Sequence, residues 1–458
     1  MNAGTEFFLY TCDIGSPVYK ILTESAKKHA EAKLNRVLRL KRFEISNCLT
    51  FHGFLFVVSL AFRVFLLRSD ALVQLQYRGY DVGRHSVAAT LRNVKSNNNF
   101  FLYYYVLIRK IIRGVLIVDC GEAVVEYVKA AYVDHNVYLN GLLLQVLLKR
   151  GICVYSNEYP FSLSCARCSS SIDRVVKYEE ISMLSKVEID FHGKKQAEFK
   201  LREILGDTNS IPYMDVEMES PGIFPRENVV VLYVHSFTDA QMMYGYDGFK
   251  SVYDWLLFSI EKLTELKKNI IIKGHPNFYG RSQHVTVLMD KKLFGHVCNK
   301  FVGQDNIFFL TRPVSNYDFL RELDPASTAL VSHHSFSVVE GAFMGFKSIS
   351  SSRSPWRNEF KVSNVWSDPQ EYEKLLKLDV SDLVPPTYED IISLVYANHC
   401  NEYGFFGRRF WQDIIAEEFS ISRKSIIDDP HSIKGTDLQF HNAIQRIAGA
   451  VRSLEISN

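Results

Sequence analysis

Apolar residues along this chain gather in short unbroken runs, and amphipathic stretches separate them. That is the pattern of strands buried on both faces alternating with helices. Residues 114–119 (GVLIVD) read as the first buried strand, and 130–137 as a second, interrupted by Asp134 and His135. Residues 138–150 predict an apolar helix, then Gly151 and a returning strand over 152–155, which together make a βαβ unit. The polar, turn-rich stretch 169–225 places a crossover between domains near 204–228. A second array follows, with strands over 228–234, 270–272, 306–310, 328–331 and 346–349 and helices over 248–266 and 315–323. A further strand and helix fall within 365–378. Residues 24–44 read as an exposed basic helix, 387–419 as a helical, aromatic tail, and the last stretch as a closing helix with a loose end. The expectation is an α/β protein of two Rossmann-like domains facing a cleft, over 1–215 and 216–385, with a helical tail over 386–458 packing back on the body.

Composition narrows the partners. A length of 458 residues exceeds one average core, which agrees with two or three domains. Lys and Arg number 53 against 51 Asp and Glu, so no nucleic-acid-binding surface covers the whole protein. The 8 cysteines are scattered, which suits a reducing cytoplasm; Cys165 and Cys168 form a lone CxxC without a second pair, so no metal site is expected. No signal peptide opens the chain, and no uncharged apolar run reaches the ~18–20 residues that span a bilayer. Residues 54–67 carry Arg63, and 100–118 carry Arg109, Lys110 and Arg113. These read as buried structure with cationic ends; the alternative is a basic, aromatic face resting on the anionic inner leaflet.

The candidate chemistry lies in the second array. The strand over 328–331 leads into Ser332-His333-His334-Ser335-Phe336-Ser337 and then an amphipathic helix. Ser335 or Ser337 is expected to cap that helix, whose free N–H groups and dipole favour an anion, phosphate above all. Gly341 and Gly345 keep one face slim, and Gly345 can end the helix in the left-handed region. The plainer reading is an ordinary strand–helix–strand unit with a serine cap. Upstream, the strand over 270–272 delivers Lys273-Gly274-His275-Pro276 to the same kind of carboxyl end. An imidazole, an ammonium and hydroxyls meeting there would hold one phosphate. His333 and His334 stay open between ligand contact and packing. A transferase also needs a base near the attacking hydroxyl. Asp134, His135 and Asp239 are the candidates, against a plainer role as caps or turn residues.

Lys273-Gly274-His275-Pro276, Ser332-His333-His334-Ser335, Glu340-Gly341 and Gly345 resemble the carboxyl-terminal half of GT-B glycosyltransferases. The resemblance is to the capsule-polysaccharide biosynthesis group that includes the Kdo transferases. These are similar in turn to bacterial GT-B sialyltransferases and to CDP-glycerol glycerophosphotransferases. It spans residues 228–351 and is weak before them. It implies a GT-B fold and transfer of a Kdo-like or other nonulosonate sugar from a cytidine nucleotide, such as a CMP-sugar, to a glycan or lipid-linked glycan acceptor. No metal and no tightly bound cofactor are implied. By the same resemblance His275 contacts the donor phosphate or aids the leaving group, and Lys273 supplies charge. Ser335 and Ser337 hold the phosphate, and Glu340 meets the ribose hydroxyls. The chain departs from the family in reading SHHSFS where an adjacent Ser-Ser pair is usual, which leaves open which hydroxyl does the holding. The competing readings are a CDP-glycerol-type phosphotransferase, a GT-B-shaped sugar-nucleotide epimerase and a non-catalytic subunit of an envelope assembly complex.

Overall fold

The computed structural model describes residues 50–63, 69–93, 100–125, 130–133, 137–156, 166–172, 175–178, 189, 191–205, 224–238, 245–275, 278–279, 285–354, 356 and 359–396, with positions 417, 420, 439, 442 and 446. The expected basic helix over 24–44, most of the tail, and Asp134, His135, Asp239 and Pro276 lie outside the described residues.

The first half is built on helices α1 (Phe51–Arg63), α2 (Ser69–Val73), α3 (Val82–Asn93) and α4 (Phe100–Val124). Strand β1 (Ala130–Val133), helix α5 (Tyr138–Lys149) and strand β2 (Cys153–Ser156) follow. β1 and β2 pair in parallel, which is the βαβ unit the sequence predicts. β3 (Ala166–Ile172) and β4 (Val175–Tyr178) extend the sheet antiparallel. One expectation is corrected here: residues 114–119 are no strand but the middle of α4. Leu107, Ile111, Val115 and Val118 are all buried, and their spacing is helical. Gly114 and Gly121 let α4 approach its neighbours; a Cβ on either would sit 2.8 Å from Val82 or Val146. Asp119, buried near the end of this helix, accepts hydrogen bonds from the Thr50 hydroxyl (2.7 Å) and the Tyr77 hydroxyl (2.9 Å).

The second half is a parallel sheet. Its strands are β5 (Val229–Tyr233), β6 (Asn269–Lys273), β7 (Ile307–Leu310), β8 (Thr328–Ser332), β9 (Lys347–Ser351) and β10 (Asn364–Trp366). They lie in the order β10-β9-β8-β5-β6-β7, and every neighbouring pair is parallel. The chain runs outward from β5 to β7, then restarts on the other side of β5 with β8. That reversal is the Rossmann strand order, and its switch point lies between β5 and β8.

Helices cover both faces. Val230, Leu232, Ile270 and Ile272 pack with α7 (Val252–Glu265), α8 (Val285–Lys300) and α11 (Pro369–Leu376). Val229, Val231, Ile271 and Leu330 pack with α6 (Phe191–Leu205), α9 (Asn316–Arg321), α10 (Ser337–Phe343) and α12 (Tyr388–Val395). So α6 and α12, which flank the array in sequence, both close over this sheet. The sequence pattern predicts no helix over 285–300, because the apolar residues of α8 are spread around it rather than gathered in a stripe. The packing of the two halves predicts their weak points. Gly83 would bring a Cβ within 1.9 Å of the Leu72 carbonyl oxygen, whereas Gly341 would meet the Leu330 methyl at 2.0 Å. A methyl group can turn aside and a backbone carbonyl cannot, so Gly83→Ala should lower the thermal midpoint further than Gly341→Ala. The latter should cost about 1–3 kcal/mol; equal midpoints for the two variants would contradict this account of the packing.

Candidate functional site

The carboxyl ends of β5, β6 and β8 each deliver a histidine to one place. His235 follows β5, His275 follows β6, and His333 and His334 follow β8. The His235 ring lies 5.0 Å from that of His275 and stacks at 4.7 Å on that of His334. His275 and the Ser335 neighbourhood are therefore on the same edge of the sheet, joined through His235. His235 is the member that pattern reading passed over, since a lone histidine after a strand carries no signal of its own. It is placed by the register of β5 between β6 and β8.

Position separates the two histidines left open above. His333 is enclosed by Trp255 (5.8 Å) and Trp366 (5.3 Å), both edge-on, so it packs. His334 faces the His235 side. Their Nδ1 atoms are 2.9 Å apart, so one neutral ring donates to the other. Burial pushes the titration points of His275, His333 and His334 down: that of His275 well below its usual value, helped by His235 and Lys273, and that of His334 likewise, helped by the other rings. His333 is lowered by burial to about 4, against an opposing pull from Asp247.

The serines divide as well. Ser332 is buried, and its hydroxyl accepts the Ser335 N–H at 2.8 Å, which shapes the turn. Ser335 and Ser337 are partly exposed, their hydroxyls 3.2 Å apart. The expected serine cap is corrected: Phe336 occupies the cap of α10 without a side-chain bond. The Ser335 hydroxyl instead accepts the N–H of Ser337 at 3.3 Å. Gly345 does end the helix at φ +90°. Gly274 is required by contact, for a Cβ there would lie 2.6 Å from the Tyr279 hydroxyl and 3.0 Å from Phe278.

Lys273 and Glu340 feel each other's charge inside this edge. Burial lowers Lys273 to about 8 while Glu340 pulls the other way; burial also raises Glu340, opposed by Asn316 and Lys273. Asn316 donates to Glu340 at 2.5 Å and accepts from the Tyr233 hydroxyl at 2.7 Å. The Glu340 carboxylate is buried and tied to protein groups on this side of the sheet. Two further buried carboxylates shape the loops. Asp290 on α8 accepts from Ser236 (2.5 Å), Phe237 N–H (3.0 Å) and Thr238 (3.0 Å), which fixes the turn that carries His235. Asp247 accepts from Ser351 (2.6 Å), Ser352 (2.8 Å) and Arg353 (2.5 Å) beyond β9.

No family model and no curated protein matches the chain. Among solved structures it is similar to Thermosulfurimonas dismutans KpsC, beta Kdo 2,4 transferase, at 13% identity over 59% of this chain and 80% of that one, with a TM-score of 0.39. It is also similar to Thermosulfurimonas dismutans KpsC, beta Kdo 2,7 transferase, at 12% identity over 60% and 79%, with a TM-score of 0.34.

The buried imidazoles make stability depend on pH. A histidine in the unfolded chain titrates near ~6.5, whereas folded His333 does so only near about 4. Between those values the unfolded chain takes up protons that the folded one refuses. Stability is therefore full above ~6.5 and drains away as pH falls, by about 1.4 kcal/mol per pH unit for each such ring. Urea midpoints measured from neutral to mildly acid pH should fall steeply, and His334→Gln should flatten the slope. A wild-type slope no steeper than that of the variant would show that the rings are not held neutral.

Proposed function

We propose that this chain is a glycosyltransferase of bacterial surface polysaccharide synthesis. In this reading it transfers a Kdo-like or related sugar from a CMP-sugar to a glycan or lipid-linked glycan. The single observation that carries it is the meeting of His275, His235 and His334 at the switch point, with Lys273 two positions before His275 and Ser335 and Ser337 just after His334 in the chain. Open α/β sheets bind their ligands in that crevice. Charge building on a leaving phosphate is stabilised there by donors fixed in advance.

Each residue has a part. Lys273 supplies the cation and His275 the N–H nearest it, so that His275 both grips the phosphate and can protonate it as it leaves. Ser335 and Ser337 donate hydroxyls. Because burial keeps the rings neutral, a phosphate entering among them raises their affinity for protons. Residues 216–385 form the donor side in this reading and 1–215 the acceptor side. Asp134, His135 and Asp239 are the candidates for the base.

Calorimetric titration with CMP tests the donor pocket. CMP should bind more tightly than UMP, with proton uptake at neutral pH revealed by the dependence of the heat on the buffer's own ionisation. Losing a hydrogen bond to a charged group costs about 1.5–3 kcal/mol, so His275→Gln should weaken CMP roughly ten- to hundredfold. Ser335→Ala should weaken it less. Tighter binding of UMP, or no effect of His275→Gln on a folded protein, would end the cytidine reading.

A further inference from the structure

Helices α1 and α4 carry Arg63, Arg109, Lys110 and Arg113 against Asp119 and Glu122. The same helices leave apolar side chains in solvent. On α1, Phe51 is 73% exposed, Phe54 51%, Leu55 49% and Val58 37%. Their spacing puts them on one stripe of the helix. The opposite side is accounted for: Leu60 is buried, and Phe56 and Val57 pack on the core. α1 packs against α4, which has an outward stripe of its own with Leu102 and Tyr105 exposed. There the exposed Arg109 guanidinium sits 5.6 Å from the Tyr105 ring centre. No carboxylate interrupts these stripes, since Asp119 is buried and Glu122 pairs with Arg150.

We propose that α1 and α4 form a surface that rests in the plane of an anionic lipid bilayer. Aromatic and aliphatic side chains would enter the headgroup boundary while Arg109 and its neighbours meet the lipid phosphates. The excess of cations selects an anionic partner, and the bare apolar stripe selects a bilayer over a soluble polyanion. Contact is peripheral, for among the described residues no helix is long and apolar enough to cross. The surface owes nothing to the nucleotide site and stands apart from the transferase reading.

Sedimentation of the full chain with vesicles tests it, using phosphatidylcholine alone and phosphatidylcholine mixed with phosphatidylglycerol. Binding to the mixed vesicles at low salt should be at least about tenfold tighter than to the neutral ones. Phe54→Ser combined with Leu55→Ser should cut that binding about tenfold while leaving the thermal midpoint and CMP binding unchanged, because both side chains face solvent. Arg109→Glu should cost about fivefold or more on the mixed vesicles and nothing on the neutral ones. Equal binding to both vesicles, or a double variant that binds like the parent, overturns the proposal. So does a dimer that the double variant breaks in a protein that binds no vesicles, which would make the stripe a contact between two copies.

Discussion

The layer of imidazoles across the ends of β5, β6 and β8 exists because burial keeps His275, His333 and His334 neutral. Ring centres lie 5.0 Å and 4.7 Å apart from His275 through His235 to His334. Two unit charges at that separation would repel by roughly 3 kcal/mol even at an effective dielectric near 20. Charging the whole layer would exceed the margin by which an ordinary domain is folded. Neutral rings face no such limit. They stack, exchange one Nδ1 hydrogen bond between His333 and His334, and pack against Trp255 and Trp366.

The surrounding carboxylates make this arrangement rigid. Asp290 reaches from α8 to bind two hydroxyls and a backbone N–H on the turn after His235. Each bond to a buried carboxylate is strong because the alternative is an unpaired charge away from water. On the other side of the sheet, the Tyr233–Asn316–Glu340 chain links β5, α9 and α10. Burying an ionisable side chain away from water is costly. Lys273 and Glu340 are therefore a feature of the site rather than of the core, since Val or Leu would have filled the space at less cost.

Much of this was legible in the sequence, for identifiable reasons. β5, β6 and β8 are buried on both faces, so they read as unbroken apolar runs, and the residues after them had to share an edge if the strands were parallel. That placed Lys273, His275 and Ser335 together before any coordinates. The run at 114–119 misled because a short apolar stretch has no period of its own; only the longer window from Leu107 to Val118 shows the helical stripe. His235, at the end of its own apolar run, did not stand out as a site residue for another cause. Its partners His275 and His334 lie far along the chain, and only strand order makes them neighbours. The exposed stripe of α1 was hidden likewise, because an apolar run does not say which of its residues the core takes.

The choice of lysine over arginine at position 273 follows from the same electrostatics. A guanidinium keeps its charge under all ordinary conditions, so an arginine beside His275 would hold that ring neutral permanently. The ammonium of Lys273, brought down to about 8 by burial, stands close to the point of release. In the proposed reaction the phosphate becomes more basic as the sugar departs. A site whose cation lies near its titration point can shift a proton toward it by moving a hydrogen a short way. A site with fixed charge would hold the phosphate in one state before and after transfer, and the product would leave slowly. Burial of an otherwise costly lysine and a neutral histidine side by side is the arrangement that avoids this.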